Sequence, residues 1–257
     1  MVGLDIQERC IEAETVSKQF GKTTALSGIS FRINAGECVG LLGPNGAGKS
    51  TLIRILSGIL SPGSGKIILQ GKIRKPEDPS WKRYIGTVLE ELALFDYLTI
   101  GENIFFLGRL YGLSTGEAEK RRDELLSFLG LHQYRDTLLR EASQGMKKKT
   151  ALALSLIHNP DVLLLDEVFT GIDTLSAANI RALLGEMIKK GKTVMISSHI
   201  INSIISLITR IIIIDKGKII LDSDTADLQR NGDTIEEIYL NSIYGRDRER
   251  SRPEWLL

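Results

Sequence analysis

The spacing of apolar and polar residues predicts mainly β-strands up to about residue 70. Residues 29–33 alternate between apolar and polar, which is typical of a half-buried strand, and Cys38–Leu42 is an almost continuous apolar run. Such a run is typical of a strand that is covered on both faces, as in a parallel sheet. The spacing then predicts a helix over 51–60 and a further strand over 66–70.

Beyond about residue 91 the pattern becomes helical, and after residue 160 strands and helices alternate. Helical spacing around 104–113 and 118–129 predicts a helical insertion over about 91–150. The later elements are a strand at 162–165, a helix at 175–189, a strand at 193–197 and a strand pair at 211–214 and 218–221. Their order is typical of βαβ units on a parallel sheet, and Asp215-Lys216-Gly217 predicts a tight hairpin between the last two strands.

Composition and charge indicate a globular chain that neither binds nucleic acid nor enters a membrane by itself. The 257-residue chain has 33 Lys and Arg against 32 Asp and Glu, so its net charge is +1 and we expect no nucleic-acid partner. The most apolar stretch, 203–214, is interrupted by Arg210 and is shorter than the ~20 residues that cross a bilayer. With no secretory leader pattern and only Cys10 and Cys38, we expect a reducing, cytoplasmic location.

A glycine-rich phosphate-binding pattern, G-x-x-x-x-G-K-[ST], follows the strand predicted at Cys38–Leu42. Glycines allow backbone N–H groups to turn toward an anion, while Lys49 supplies a cation to the β- and γ-phosphates and the Ser50 hydroxyl can ligate Mg²⁺. The candidate cradle consists of Gly43, Pro44, Asn45, Gly46, Ala47, Gly48, Lys49, Ser50 and Thr51. It predicts triphosphate binding but does not choose between kinases, motors and transport ATPases; the N-K-x-D pattern typical of GTPases is absent from the sequence.

Two acids and a histidine follow apolar strands, at the edge where a parallel sheet collects ligands. Asp166 and Glu167 end one apolar run, and His199 follows another. We expect Asp166 to hold Mg²⁺, Glu167 to polarise an attacking water and His199 to stabilise charge on the transferring phosphoryl group. The other two histidines, His132 and His158, are interpreted as structural.

Taken in order, these motifs resemble those of the ATP-binding cassette (ABC) ATPases, the nucleotide-binding subunits of ABC transporters. Ala142-Ser143-Gln144-Gly145-Met146 stands where that family has its LSGGQ-like signature, and Thr170-Gly171-Ile172-Asp173 matches the D-loop. His199 matches the switch histidine, and Phe20 stands where the family has an aromatic residue that stacks on adenine. The resemblance therefore adds to the ATP-binding residues Phe20, Ser143, Gly145 and Asp173.

The sequence also departs from the family pattern. Glu90 occupies the position of the usual Q-loop glutamine; its oxygens can ligate Mg²⁺ or position water, but an ionised carboxylate cannot donate a hydrogen bond. The signature lacks its leading leucine and one glycine, and Val168 replaces a proline after the catalytic glutamate. Ser143 and Gly145 are retained, and a hydroxyl and a backbone N–H at a helix N-terminus can reach a γ-phosphate.

The resemblance implies an α/β fold of the P-loop NTPase type. Its RecA-like core has a mixed, largely parallel sheet, with an N-terminal antiparallel β subdomain and the inserted helical subdomain. We expect an ABC ATPase domain over 1–240 and a charged, flexible tail over 241–257. The implied activity is hydrolysis of ATP to ADP and phosphate with Mg²⁺. It is coupled to transport by an integral membrane permease subunit, which holds the chain at the cytoplasmic face of the membrane. Two cassettes, identical or different, are expected to pair head to tail around ATP.

Three questions stay open at this point. The signature region and the Leu-Glu-Glu near Glu90 look like ABC-2-type exporters, so export is favoured and an importer cassette is the alternative. A soluble cassette ATPase is less favoured because neither a second cassette nor a long coiled coil is present, and a non-hydrolysing sensor is disfavoured by Glu167 and His199. The apolar residues after Glu90 either form a groove for the membrane subunit or pack within the insertion: Leu92, Leu94, Phe95, Tyr97 and Leu98.

Overall fold

The computed structural model describes residues 9–75, 77–92, 94–230 and 234–245, and its strands form two sheets. The first sheet is antiparallel and contains β1 (Arg9–Phe20), β2 (Thr23–Asn34), β4 (Ser64–Leu69) and β5 (Lys72–Ile73). Its strand order is β2-β1-β4-β5. This confirms the antiparallel subdomain implied by the resemblance, and it extends the strand expected at 29–33 to twelve residues.

The second sheet is the mixed, largely parallel core. It contains β3 (Cys38–Leu42), β6 (Ile85–Val88), β7 (Val162–Asp166), β8 (Thr193–Ser198), β9 (Arg210–Asp215) and β10 (Lys218–Asp224). The order is β10-β9-β3-β8-β7-β6, and all neighbours are parallel except β9 and β10. The apolar runs that predicted β3, β7 and β8 are buried along their whole length, as expected for central parallel strands.

Apolar side chains cover both faces of this sheet. On β3, Cys38 and Leu42 pack in the cluster that includes the helical insertion, whereas Val39 and Leu41 pack in the cluster that includes the antiparallel sheet. Because successive side chains of a strand point to opposite faces, one short strand joins both halves of the core.

The helix after β3 is shorter and lies earlier than predicted. It is α1 (Lys49–Leu56), rather than 51–60. Gly58 has φ +71°, and a side chain there would collide with Trp81, so the chain turns instead of continuing as a helix. Ile59 consequently lies on the surface with 59% of its area exposed, although its spacing suggested a buried helical position.

The predicted helical insertion is present as α2 (Ile100–Leu110), α3 (Thr115–Phe128) and the first part of α4 (Gln144–Leu156). Both α2 and α3 begin a few residues before the apolar periodicity, because Thr99 and Ser114 cap their first N–H groups. Helix α4 begins in the insertion and packs against β6, so it connects the helical region to the core sheet.

The C-terminal elements follow the predicted order. Helix α5 (Thr174–Lys189) joins β7 to β8, and the predicted hairpin between β9 and β10 turns at Lys216 and Gly217, which have φ +46° and +75°. Helices α6 (Thr225–Gln229) and α7 (Ile235–Tyr244) complete the described chain, and short 3₁₀ helices lie at Pro79–Tyr84, His132–Tyr134, Leu139–Glu141 and Ile201–Ser203.

Helix α7 crosses residue 240, where the sequence suggested the end of the domain. The division into a domain and a tail stays a prediction, since the charged residues 246–257 lie outside the described part of the chain. Within the described ranges, no helix combines the length and the apolar character needed to cross a bilayer.

Candidate nucleotide-binding site

The register of the parallel strands brings the candidate residues to one edge of the sheet. Leu42 at the end of β3 lies opposite Ser198 of β8, and Asp166 at the end of β7 lies opposite Ser197. The loops that begin at Gly43, Glu167 and His199 therefore leave the sheet at the same carboxyl edge, which is where open α/β sheets bind ligands.

Two glycines of the phosphate cradle are required by close approaches of the backbone. Gly43 has φ +155°, and a Cβ atom there would lie 2.2 Å from the carbonyl oxygen of Ile214. Gly48 has φ +112°, and a Cβ atom there would lie 2.6 Å from the carbonyl oxygen of Ala25. The loop is therefore packed tightly against its neighbours on its outer side. Gly48 also occupies the N-cap of α1, so the first free N–H groups of this helix lie at the cradle.

Lys49 is held by the loop that it follows. Its Nζ donates hydrogen bonds to the carbonyl oxygens of Gly43 at 2.7 Å and Pro44 at 3.1 Å. Burial lowers the pKa of Lys49, while the negative charges of Glu167, Asp166 and Glu90 oppose that shift. The ammonium group is thus oriented in advance and lies in the field of three carboxylates.

Asp166 is almost fully buried, with 1% of its area exposed, and only one of its two carboxylate oxygens is paired. The hydroxyl of Ser197 donates to Oδ1 and accepts the backbone N–H of Glu167 at 3.1 Å. Oδ2 is buried and has no hydrogen-bond partner among the described residues. A buried, unpaired carboxylate oxygen is costly unless it binds a cation, so this atom fits a Mg²⁺ site.

Glu167 and His199 are in direct contact. Nδ1 of His199 lies 2.8 Å from Oε2 of Glu167, and the Thr170 hydroxyl donates to the same oxygen at 3.3 Å. Because an ionised carboxylate only accepts hydrogen bonds, Nδ1 carries the proton in this contact. Glu167 has φ +51°, a conformation that is strained for a residue with a side chain. This contact between Glu167, the expected general base, and His199 was not predicted from the sequence.

A cavity of about 470 Å³ lies between the cradle and these groups. Among the sequence-predicted residues, it is lined by Asn45, Gly46, Gly48, Lys49, Ser50, Thr51, Glu90, Glu167 and His199. Five further lining residues were not among the predicted site residues: Thr23, Thr24, Ala25, Lys148 and Thr170, the last of which begins the predicted D-loop. Lys148 had a local signal, since it belongs to the lysine run after the signature; the β2 residues had none that distinguishes them from an ordinary strand.

The remaining predicted residues lie outside the cavity. The cavity is not lined by Gly43, Pro44, Ala47 or Asp166, but the carbonyl oxygens of Gly43 and Pro44 accept hydrogen bonds from Lys49, which does line it. Phe20 pairs with Thr23 across the turn between β1 and β2, and half of its surface is exposed. Phe20 itself does not line the cavity, but its strand partner Thr23 does.

Ser143, Gly145 and Asp173 are also outside the cavity, at the N-termini of α4 and α5. Ser143 is exposed and caps α4 by accepting the N–H of Met146 at 3.2 Å. Asp173 caps α5, and hydrogen bonding from Ser176 together with the ammonium group of Lys149 holds the pKa of its carboxyl well below the ordinary value. Ser143, Gly145 and Asp173 therefore do not line the cavity of their own chain, although Thr170 at the start of the D-loop does.

The apolar residues after Glu90 divide into a packed group and an exposed group. Leu92 and Leu94 pack against the core, whereas Phe95 and Tyr97 are 50% and 80% exposed. Phe95 contacts the edge of Phe106 and lines a surface groove of about 470 Å³ together with Tyr97. Packing within the insertion and an open groove are thus both present.

The chain matches known proteins over most of its length. The ABC transporter family model matches residues 26–170. Linearmycin resistance ATP-binding protein LnrL of Bacillus subtilis is 39% identical over 91% of this chain and 76% of its own length. Nod factor export ATP-binding protein I of Paraburkholderia xenovorans is 36% identical over 82% of this chain and 69% of its own length. A dimeric, post-hydrolysis structure of the ATP-binding cassette MJ0796 bound to ADP and Pi superposes with a TM-score of 0.78 at 26% identity. That alignment covers 83% of this chain and 98% of the other.

Proposed function

The chain belongs to the ABC transporter family and is an ATP-hydrolysing transporter subunit, and we propose that it works as a head-to-tail pair that drives export through a separate membrane subunit. The observation that carries the proposal is the division of the nucleotide-binding groups. The cradle, Glu167 and His199 share one cavity, while the signature lies outside it on the same chain.

ATP fits the cavity with its phosphates at the cradle. The N–H groups at the start of α1 and the ammonium group of Lys49 bind the phosphate oxygens, and the exposed ring of Phe20 stacks on the adenine. In our proposal the unpaired Oδ2 of Asp166, the Ser50 hydroxyl and Glu90 hold Mg²⁺. When bound there, Mg²⁺ would supply positive charge against the negative charge that develops on the phosphate oxygens.

Glu167 and His199 act on the attacking water and on the transferred phosphoryl group. Glu167 is positioned to accept a proton from the water, and the hydrogen bond from His199 Nδ1 holds its carboxylate in place. His199 is half exposed at the cavity, so its ring is also available to stabilise negative charge as the terminal phosphate separates.

A second cassette completes the phosphate site. Ser143 and Gln144 are exposed at the start of α4 and do not line the nucleotide cavity of their own chain. A γ-phosphate bound by Lys49 still has oxygens to satisfy. Pairing the cradle of one copy with the signature of another satisfies both. ATP then holds the two copies together, and hydrolysis releases them.

The decisive experiment uses Glu167→Gln, which retains the shape of the side chain but removes the base. With saturating Mg-ATP, size-exclusion chromatography with light scattering should give a stable dimer, while the wild-type protein returns to monomer as ATP is hydrolysed. Glu186→Gln, an exposed substitution of the same type on α5, should behave as wild type. A strictly monomeric Glu167→Gln protein at saturating Mg-ATP rules out the paired mechanism.

The direction of transport and the location rest on the relatives. One relative is named for linearmycin resistance and another for Nod factor export, so we infer export, with an importer cassette as the alternative.

We further propose that the groove at Phe95 and Tyr97 receives a cytoplasmic segment of the membrane subunit, which holds the chain at the inner membrane surface. Tyr97→Glu should abolish co-purification of a membrane protein with the chain, whereas Phe128→Glu, at an exposed aromatic elsewhere, should not. Equal co-purification by both variants excludes the groove.

A further inference from the structure

Lys148 reaches from the helical insertion to the loop that carries Glu167. It lies in α4, five residues after Ser143, and its Nζ donates hydrogen bonds to the backbone carbonyl oxygens of Glu167 at 3.0 Å and Thr170 at 2.5 Å. It also lines the nucleotide cavity. The neighbouring Lys147 makes no side-chain hydrogen bond or ion pair within the part of the chain that the structure describes.

The backbone of Glu167 requires such support. Its φ of +51° is a strained conformation that persists only where the surroundings hold it. On one side its N–H is held by Ser197, and on the other its carbonyl oxygen accepts hydrogen bonds from Lys148 and from the N–H of Thr170 at 3.2 Å. Of these contacts, the one from Lys148 is the only one that originates in the helical insertion.

The charge of Lys148 also matches its surroundings. Burial lowers the pKa of this lysine, and the negative charges of Glu167, Glu90 and Asp166 oppose that shift. Glu90 occupies the position at which the related pattern has a neutral glutamine, so this cavity holds one more negative charge than that pattern provides. A cation at residue 148 offsets part of this charge while remaining hydrogen-bonded to backbone carbonyls.

We propose that Lys148 is a positioning residue for hydrolysis, which fixes the backbone of Glu167 so that its carboxylate faces the cavity. Because Lys148 and Ser143 share the first two turns of α4 and its cap, the same contact ties the signature to the hydrolytic glutamate of its own chain. This inference rests on the proposed role of Glu167 as the base. Lys148 acts through Glu167, so its loss should affect turnover more than ATP binding.

The test measures steady-state ATPase kinetics of the full chain for Lys148→Met, Lys148→Arg and Lys147→Met. Lys148→Met retains the length of the side chain without its charge or donors, and kcat should fall about tenfold or more while KM for Mg-ATP changes less than about twofold. Lys148→Arg should recover most of the turnover, and Lys147→Met should match the wild type. Circular dichroism melting verifies folding, and Lys148→Gln, which retains an amide donor, should give an intermediate kcat if Lys148→Met proves unstable.

The outcomes separate this inference from the proposed function. Wild-type kcat in Lys148→Met, or a rise in KM that accounts for the whole loss, overturns the positioning role. If Glu167→Gln loses turnover while Lys148→Met retains the wild-type turnover, the assignment of Glu167 as the base is retained and only the positioning role of Lys148 is rejected. Wild-type turnover in Glu167→Gln rejects the proposed base and, with it, the inference about Lys148.

Discussion

Replacing Ser197 with Ala removes the hydroxyl group that connects the two acids of the site. In the wild-type protein this fully buried hydroxyl donates to Oδ1 of Asp166 and accepts the backbone N–H of Glu167. The N–H of Glu167 retains a weaker partner, the Ser197 carbonyl oxygen at 3.3 Å. Oδ1 of Asp166 has no replacement partner, and because Oδ2 is already unpaired, neither carboxylate oxygen of the variant has a hydrogen-bond partner among the described residues.

The expected cost follows from the charge of Asp166. A hydrogen bond to a charged group contributes roughly 1.5–3 kcal/mol, and more is lost when a buried acceptor stays unpaired. We therefore expect Ser197→Ala to lower the free energy of unfolding by about 2 kcal/mol or more. For a domain of this size, that corresponds to a decrease in Tm of about 4–8 °C.

Urea denaturation monitored by circular dichroism measures this difference, and Ser155→Ala provides the matched control. Ser155 is also buried, but its hydroxyl donates only to the neutral carbonyl oxygen of Leu152 within its own helix, at 2.8 Å. Its replacement should cost less than about 1 kcal/mol. If both variants unfold at the same urea midpoint, the argument that Ser197 stabilises a buried charge is wrong.

Three further predictions address the cavity and its surroundings. Gly48→Ala should weaken ATP binding and lower the urea midpoint, because its Cβ would lie 2.6 Å from the carbonyl oxygen of Ala25 at φ +112°; unchanged binding in calorimetry would contradict the tight cradle. Phe20→Ala should weaken ATP binding by about 1–3 kcal/mol in the same assay while Phe20→Tyr retains it, since the ring contributes by stacking. Asp173→Asn removes a carboxylate whose pKa is lowered in the folded state. The ionised carboxylate of Asp173 stabilises the folded protein above the ordinary pKa of aspartate, and this stabilisation is lost as the pH falls below that pKa. The difference in unfolding free energy between the wild-type protein and this variant should therefore be largest near pH 7 and should shrink below about pH 4, and a constant difference would refute the assignment.

Patterns that are local in sequence predicted most of the fold. The apolar runs of β3 and β7 are continuous because both faces of these strands are covered. A continuous apolar run can be read from the sequence alone, so these two strands were predicted. Helix boundaries were less well predicted: α1 stops at Leu56 although apolar spacing continues, since the approach of Trp81 to Gly58 depends on a segment more than twenty residues later. Such a tertiary contact leaves no signal in the helix itself.

The same limit applies to the candidate site. The cradle and the strand-end acids were predicted because their spacing reflects their chemistry, whereas Ser197 and Lys148 contact Asp166 and Glu167 from distant parts of the chain. The sequence contains no pattern that links Ser197 to Asp166. The two residues become neighbours only through the register of β7 against β8. Polar groups that support a site from neighbouring elements are therefore recognised only once the sheet is assembled.

The arrangement of charges in the cavity couples the stability of the protein to its ligand. Lys49, Asp166 and Glu167 are all buried, and each buried charge costs free energy unless it is fully paired. The carbonyl oxygens of the cradle solvate Lys49, and His199 and Thr170 bind Glu167, but Oδ2 of Asp166 stays unpaired among the described residues. In the proposed function, a cation bound with the nucleotide would remove that remaining penalty, since any ligand that binds only the folded state stabilises it. If the site binds the proposed cation, the incomplete pairing would convert part of the cost of burying Asp166 into affinity for the nucleotide and its metal ion.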